Sequence, residues 1–511
     1  MNKEQEMKNS GPLSAILNGL EWLGNLLPTP LTIFTFLFVF LAIISFILSS
    51  TGFSATNFTT NEVVTVQNFF SKAGLHWLLG NLVKNFTGYA PLGMVLVMSI
   101  GIGLCEEVGL LNHMINKSLK NLPAFLLPYL TICIGVVGQV ASDSAQYIIP
   151  PLAGALYFSK KRNPIVGVLT AFTGVGLGYL GNPLFTTTDV LATGITNTAL
   201  KAMNNGLSVD VTANYYFKVV SFLFIGIVLG FVSDKFIEPR FGAMDFSKAK
   251  ASSGTAFVES DAQRKGLSAA GIVALIYVAI VALGMAMPGV LLHEKTGLLG
   301  SMFLTGIVPI MWGLFMACGL AYGFASGVLK GEASVAKALA KRMATMGSYI
   351  IMAFMMGQFM ALFDWTKLGT ILSIKGAIAL EEANFTGFPL IISFIIFVVL
   401  LDFLMSSASA KWTLLAPVFV PMLVYLGYHP AFIQVAYRIG DAGANIMGPT
   451  NAFLWMLLDH CKEMYDPSLK FGKFLSTQMV FTVVSQIGWW VILFLFVQFN
   501  FQIGPGVSVL L

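Results

Sequence analysis

Charge is what this chain has least of. Only 10% of its 511 residues are Asp, Glu, Lys or Arg, where soluble globular proteins carry about 25%. That scarcity excludes an ordinary water-facing surface. With 56% hydrophobic residues and a mean hydropathy of +0.79 it points to a membrane protein. Cysteine is scarce as well. Cys105, Cys133, Cys318 and Cys461 show no paired spacing, so neither a disulfide framework nor a zinc site is implied. There is no Walker A sequence and no His-Glu-x-x-His. Gly323-Phe324-Ala325-Ser326-Gly327 is only a loose match to a serine-nucleophile context, and the five histidines fall mostly at the ends of apolar runs. An enzyme is therefore not expected, nor a bound cofactor. The net charge of +5 comes from cations between apolar runs, where they orient a chain in the bilayer. Lipid, not nucleic acid, is the expected environment. No signal-peptide cleavage pattern precedes Leu31 to Ser50, which is long enough to be a first span.

What is abundant is the apolar run of about 20 residues that can cross a bilayer. Full spans are expected near 30–50, 90–111, 164–200 (broken), 216–234, 266–288, 299–326, 343–363, 430–459 (broken) and 474–500. Two further stretches, 122–158 and 387–427, are apolar arms around a small hydroxyl-rich patch. These patches are Ser142-Asp143-Ser144-Ala145-Gln146-Tyr147 and Ser407-Ala408-Ser409-Ala410-Lys411-Trp412. Both stretches are expected to be re-entrant hairpins with the patch at the tip, because irregular backbone survives at membrane depth only against protein or a wet cavity. A Gly/Pro break follows each: Gly181-Asn182-Pro183, then Gly448-Pro449-Thr450-Asn451. The fold class is thus all-α and polytopic, an inverted-repeat carrier with nine spans, two hairpins and broken helices. Its midplane site would lie at the duplicated interruptions. The expected division is an N-terminal half over 1–234, a cytoplasmic linker over 235–265 and a C-terminal half over 266–511. Positive loops at Lys160-Lys161-Arg162, 235–265 and Lys330 to Arg342 would all be cytoplasmic. The first hairpin then enters from the cytoplasm and the second from outside. Thr51 to Lys84 would be external, with an interfacial segment from Phe69 to Leu82.

Charges inside apolar segments are the informative minority, since each costs about 2.5–3.5 kcal/mol at a helix centre. They are Asp143, Asp189, Asp402, Lys411, Arg438 and Asp441. Arg438, Asp441 and Asn445 share one helix face. Two readings stand: an internal Arg438–Asp441 ion pair, or a polar stripe along a substrate path that ends at the break. Asp189 and Asp441 are proton-coupling candidates, because desolvation raises a carboxyl pKa. Asp402 would either join Asp441 around a cation or line a wet cavity. Ser142, Ser144, Ser407 and Ser409 would hydrogen-bond a substrate carboxylate or a cation, or simply allow close helix packing. Free carbonyls at the Asn182 and Asn451 breaks suit sodium equally well, so the coupling ion, H⁺ or Na⁺, stays open. Trp412 would stack on an aromatic substrate or serve as packing. Lys411 is expected to snorkel to water, and Glu106 and Glu107 to reach solvent at a span end.

Ser407 to Trp412, continued through Thr413-Leu414-Leu415-Ala416-Pro417-Val418-Phe419-Val420-Pro421-Met422, closely resembles the signature of the AbgT family, the p-aminobenzoyl-glutamate transporters. Tyr437-Arg438-Ile439-Gly440-Asp441 and Gly448-Pro449-Thr450-Asn451 extend the match, and Val140-Ala141-Ser142-Asp143 looks like the first-hairpin motif. The resemblance spans essentially the whole chain. It implies a homodimer in the cell inner membrane, a small aromatic dicarboxylate as substrate, and functional positions at Asp189, Ser409, Trp412, Arg438, Asp441 and Pro449. Import driven by an ion gradient is the leading expectation. Efflux of sulfonamide-type antimetabolites is the alternative, and a passive channel is disfavoured by the duplicated hairpins.

Overall fold

A computed structural model describes residues 30–56, 62–120, 123–201, 203, 206–242, 259–287, 289–294, 301–403, 405–448 and 451–511. The described residues are mostly helical, with one antiparallel strand pair among them, Ser54–Thr56 with Val63–Thr65, in which Ala55 faces Val64. In the first half, α1 (Pro30–Ser50) is followed by α2 (Lys72–Thr87) and α3 (Ala90–Glu107). The expected interfacial segment therefore lies largely in α2, which leads directly into the next span. Helix α4 (Leu110–Lys120) follows Gly109, whose φ of +84° lets the chain turn. The first hairpin is α5 (Leu127–Gly138), a tight turn over Gln139–Ala141, and α6 (Asp143–Ser159). The broken span is α7 (Pro164–Gly181) and α8 (Thr187–Lys201), and α9 runs over Tyr215–Phe241.

The second half begins with α10 (Asp261–Ala286), α11 (Ile307–Ala325), α12 (Glu332–Thr345), α13 (Gly347–Trp365) and α14 (Leu368–Glu382). The second hairpin is α15 (Gly387–Asp402) and α16 (Ala408–Tyr425). The second broken span is α17 (Pro430–Asn445) and α18 (Ala452–Met464), and α19 (Phe471–Gln498) closes the bundle. The linker expected at 235–265 is entered from both ends, by α9 to Phe241 and α10 from Asp261; residues 243–258 lie outside the described residues.

Nine helices among the described residues are long and apolar enough to cross a membrane. They are not quite the expected nine. The hairpin arm α16 qualifies, while the second broken span does not, because it is divided into pieces of 16 and 13 residues. Sequence reading also missed α4, α12 and α14, whose mixed composition gives no long apolar run.

The two halves repeat each other locally. Helix α7 starts with Asn163 accepting Ile165 N–H and Pro164 in the first turn; α17 starts with His429 Nδ1 accepting Ala431 N–H and Pro430 in the first turn. Proline fits there because the first-turn N–H has no helical acceptor. These two helices form the centre of the molecule and pack on each other. Every residue of α7 except Tyr179 is buried, and every residue of α17 except Asn445. Each lies against the first arm of its hairpin through glycine. A Cβ at Gly174 would stand 2.4 Å from Ile132 O of α5, and one at Gly440 would stand 2.8 Å from Ile395 O of α15. Lipid-facing helices show the opposite pattern: α10 exposes Ile272, Leu275, Ile276, Val278, Ile280 and Leu283.

The hairpins enter from opposite ends. Arg162, beside the foot of hairpin one, binds Asp234 (2.6 Å), Glu238 and Ala124 O. This brings the loop at 160–162 together with the end of α9. At the other end Leu511 N–H bonds Gly427 O, and His429 N–H bonds Val509 O, beside the foot of hairpin two.

Candidate functional site

The hairpin tips and the helix breaks meet around a cavity of about 700 Å³. Ser142, Ser144, Ser407, Ser409, Asn445 and Asn451 all line it, so six of the expected site residues share one wall. Local structure explains their positions. Ser142 takes φ +51°, which turns the chain sharply into α6, and its Oγ lies 3.1 Å from Thr187 Oγ1 at the start of α8. Ser407 caps α16 by accepting Ala410 N–H, with its Oγ 3.3 Å from Ser409 Oγ. Asn451 caps α18 by accepting Phe453 N–H, while its amide donates to Asn445 O (2.9 Å). Ser144 donates to Glu106. Glu106 was expected in solvent; it forms part of the cavity wall, paired with Arg342 at 3.1 Å. Pro449 and the side chain of Asp143 lie outside the described residues.

Helix ends give this cavity a sign. Four helices, α6, α8, α16 and α18, begin at it, marked by Ser142, Thr187, Ser407 and Asn451. Of the helices that end near it, three have a terminal carbonyl covered by a side-chain donor. Asn182 Nδ2 donates to Val136 O (2.7 Å) of α5, Arg438 to Tyr179 O of α7, and Asn451 to Asn445 O of α17. Helix N-termini carry partial positive charge and attract anions. The covered carbonyls weaken the opposing negative ends, and the two carboxylates on the wall, Glu106 and Glu107, are paired with Arg342 and Lys341. Asn182 is wholly spent on this bracing: its oxygen accepts Leu184 N–H, and it stands outside the cavity wall.

Behind the cavity lies a chamber of about 30 Å³ lined by Tyr179, Ser409, Trp412, Tyr437, Arg438 and Asp441 among others. It has room for about two waters. Here the structure departs from the first of the two readings, an internal Arg438–Asp441 pair. Arg438 reaches across to Asp189 (2.8 Å), which is also bound by Lys218 (2.6 Å) and by Thr186 N–H. Asp441 binds Lys411 (2.7 Å), which also pairs with Asp402. Asp402 and Asp441 thus do join around a cation, and the cation is a lysine of the chain itself. Lys411 does not snorkel. It is 1% exposed, because both carboxylates face the tip from which it projects. Nor does Trp412 offer a free face to the cavity: Tyr437 stacks on it at 4.3 Å, and its Nε1 donates to Thr196 Oγ1.

Sequence reading missed Lys218, Glu106, Arg342 and Gln139. Lys218 carried the same signal as the others, a lone charge in an apolar run, but lies near the run's start and passed for a boundary residue. Among the described residues no group of three or more His, Cys, Asp or Glu side chains is placed to hold a metal.

Opposed re-entrant hairpins meeting two broken helices over a polar cavity define the class: a multi-pass membrane transporter built on an inverted repeat. More particularly, the chain belongs to the AbgT putative transporter family, whose sequence profile matches residues 15–511. It is 34% identical over 490 residues to the p-aminobenzoyl-glutamate transport protein of Escherichia coli K12, covering 96% of each chain. Two solved structures are similar. The Alcanivorax borkumensis YdaH transporter, described as having an unusual topology, superposes with a TM-score of 0.87 at 31% identity, over 94% of this chain and 100% of that one. Neisseria gonorrhoeae MtrF, described as illuminating a class of antimetabolite efflux pumps, gives 0.86 at 33% identity, over 94% and 97%.

Proposed function

We propose that this protein is a secondary transporter that carries p-aminobenzoyl-glutamate across the inner membrane as a homodimer, driven by a proton or sodium gradient. The observation that carries this reading is the convergence of four helix N-termini on the polar cavity, with a terminal carbonyl covered at three of the helix ends near it. Such a cavity favours an anion, and the substrate named for the Escherichia coli relative bears two carboxylates. Ser142, Ser407 and Ser409 supply hydroxyls to it. Arg438 and Lys218 lend positive potential from behind, one carboxylate between two cations. The Lys411 cluster has the reverse balance, two carboxylates to one cation. Its excess negative charge is where a coupling cation would be drawn.

The test is uptake of labelled p-aminobenzoyl-glutamate into proteoliposomes under imposed proton or sodium gradients, for the wild type and Asp441→Ala. Accumulation under one gradient, lost in the variant, names the ion. No accumulation under either sinks the reading. A second reading, efflux of antimetabolite drugs, is favoured by the likeness to MtrF. Sulfonamide susceptibility of cells with and without the protein separates the two.

A further inference from the structure

Most polar side chains on the cavity wall already have partners within the protein: Ser142 with Thr187, Ser144 with Glu106, Ser407 with Ser409, Asn451 with Asn445. Gln139 differs. It lines the cavity in the tight turn that ends α5, its residue is 0% exposed, and neither its Nε2 nor its Oε1 has a hydrogen-bond partner among the described residues. Buried amides are seldom left so, since the large majority of buried side-chain polar atoms are paired. The side chain is also braced. Helix α7 presses on its stem at Gly178, where a Cβ would stand 2.7 Å from Gln139 Cβ and 3.2 Å from its Cγ. The turn itself is closed by Ser142 N–H donating to Gln139 O at 2.8 Å. A held side chain with one free donor end and one free acceptor end is a recognition element for a group of the reversed pattern.

We infer that Gln139 forms a subsite for the amide that joins the two parts of the substrate: its Oε1 accepts that amide's N–H, and its Nε2–H donates to an oxygen of the carboxylate on the adjoining α-carbon. This rests on the transport function proposed above, and it deepens it. In p-aminobenzoyl-glutamate the benzoyl and glutamate parts are joined by one secondary amide. Neither p-aminobenzoate nor glutamate alone contains that bond. The helix N-termini attract any carboxylate, so charge alone does not distinguish the conjugate from its halves. Gln139 does, because it reads the bond that joins them. A site built to hydrogen-bond a substrate N–H rejects an analogue lacking it, since a buried polar group is then left unpaired.

The experiment measures uptake of labelled p-aminobenzoyl-glutamate into proteoliposomes and its inhibition by two unlabelled competitors. One is the amide itself; the other is the ester analogue, in which oxygen replaces the amide N–H. Wild type should prefer the amide by about tenfold or more. Gln139→Met keeps the length and removes both hydrogen-bonding ends, so half-saturation rises and the amide-over-ester preference disappears. Gln139→Glu still accepts the N–H but repels an ester oxygen, so its preference widens even as overall affinity falls. If Gln139→Met does not yield a folded protein, Gln139→Glu decides alone. The inference is overturned if the wild type treats amide and ester alike, if Gln139→Met keeps the wild-type preference, or if Gln139→Glu leaves it unchanged. Wild type that takes up no p-aminobenzoyl-glutamate at all overturns the proposed transport function as well, an outcome distinct from the other three.

Discussion

The two buried ion clusters are both completed by α17 and carry opposite balances. Around Asp189, one carboxylate is held between Lys218 and Arg438; around Lys411, one ammonium is held between Asp402 and Asp441. Each side chain in them is at most 6% exposed. A charge at such depth persists only when paired, and pairing in threes leaves one charge over in each cluster. Duplication of an architecture has therefore not duplicated its electrostatics. One cluster is left positive and the other negative, which suits a device that must attract both an anion and a cation.

The comparison breaks most sharply when the central charge is removed. Lys411→Met leaves two carboxylates face to face, and Asp189→Asn leaves two cations. Each should cost about 3–5 kcal/mol, visible as a large fall in the melting midpoint of the detergent-solubilised protein, or as no folded protein at all. An unchanged midpoint for either would mean that water reaches these groups.

Trimming an outer charge should act on function more than on folding, and differently in each cluster. Asp402→Asn and Lys218→Met each leave a neutral pair. Asp402→Asn should fold, yet lose gradient-driven accumulation to the level of empty liposomes. Lys218→Met should keep gradient dependence while its half-saturating substrate concentration rises about tenfold, or about 1.4 kcal/mol. If the two variants lose the same property, the assignment of opposite roles to the clusters is wrong.

Packing offers a weaker probe. Gly174→Ala and Gly440→Ala each force a Cβ toward a backbone oxygen of the neighbouring hairpin arm. Overpacking of this kind costs about 1–3 kcal/mol, so thermal midpoints should fall in both, and further in Gly174→Ala, whose approach is closer. The smallest effect belongs to Arg342→Gln. Its pair with Glu106 is only partly buried and should change stability by about 1 kcal/mol or less. Faster thiol labelling of Ser144→Cys in the Arg342→Gln background would show that the pair steadies the hairpin tip.

Much of the plan was legible because its signals are local. Ser-rich patches within apolar arms marked the hairpins, and Gly181 to Pro183 and Gly448 to Pro449 marked the breaks. The partners of the buried charges were not legible, since Asp189 meets Arg438 across the two halves and no spacing within one helix encodes that. The short i, i+3 interval made Arg438 and Asp441 look like a pair; tertiary packing gave each a better partner. Helices α4 and α12 escaped notice because amphipathic segments carry no long apolar run, and α14 because Lys375 interrupts its apolar residues. Gln139 escaped because an uncharged amide beside a serine patch stands out only once its surroundings are known.

Arg438 and Asp441 lie within one turn of the buried helix α17, and each completes a cluster in a different part of the molecule. That turn works like a shared axle. A residue inserted between the two would swing Asp441 about 100° around the helix relative to Arg438, and no rotation of α17 would then engage both clusters. The halves are thus geared together through three residues of one helix, and whatever displaces Asp441 from Lys411 is felt at Arg438 without any loop having to move.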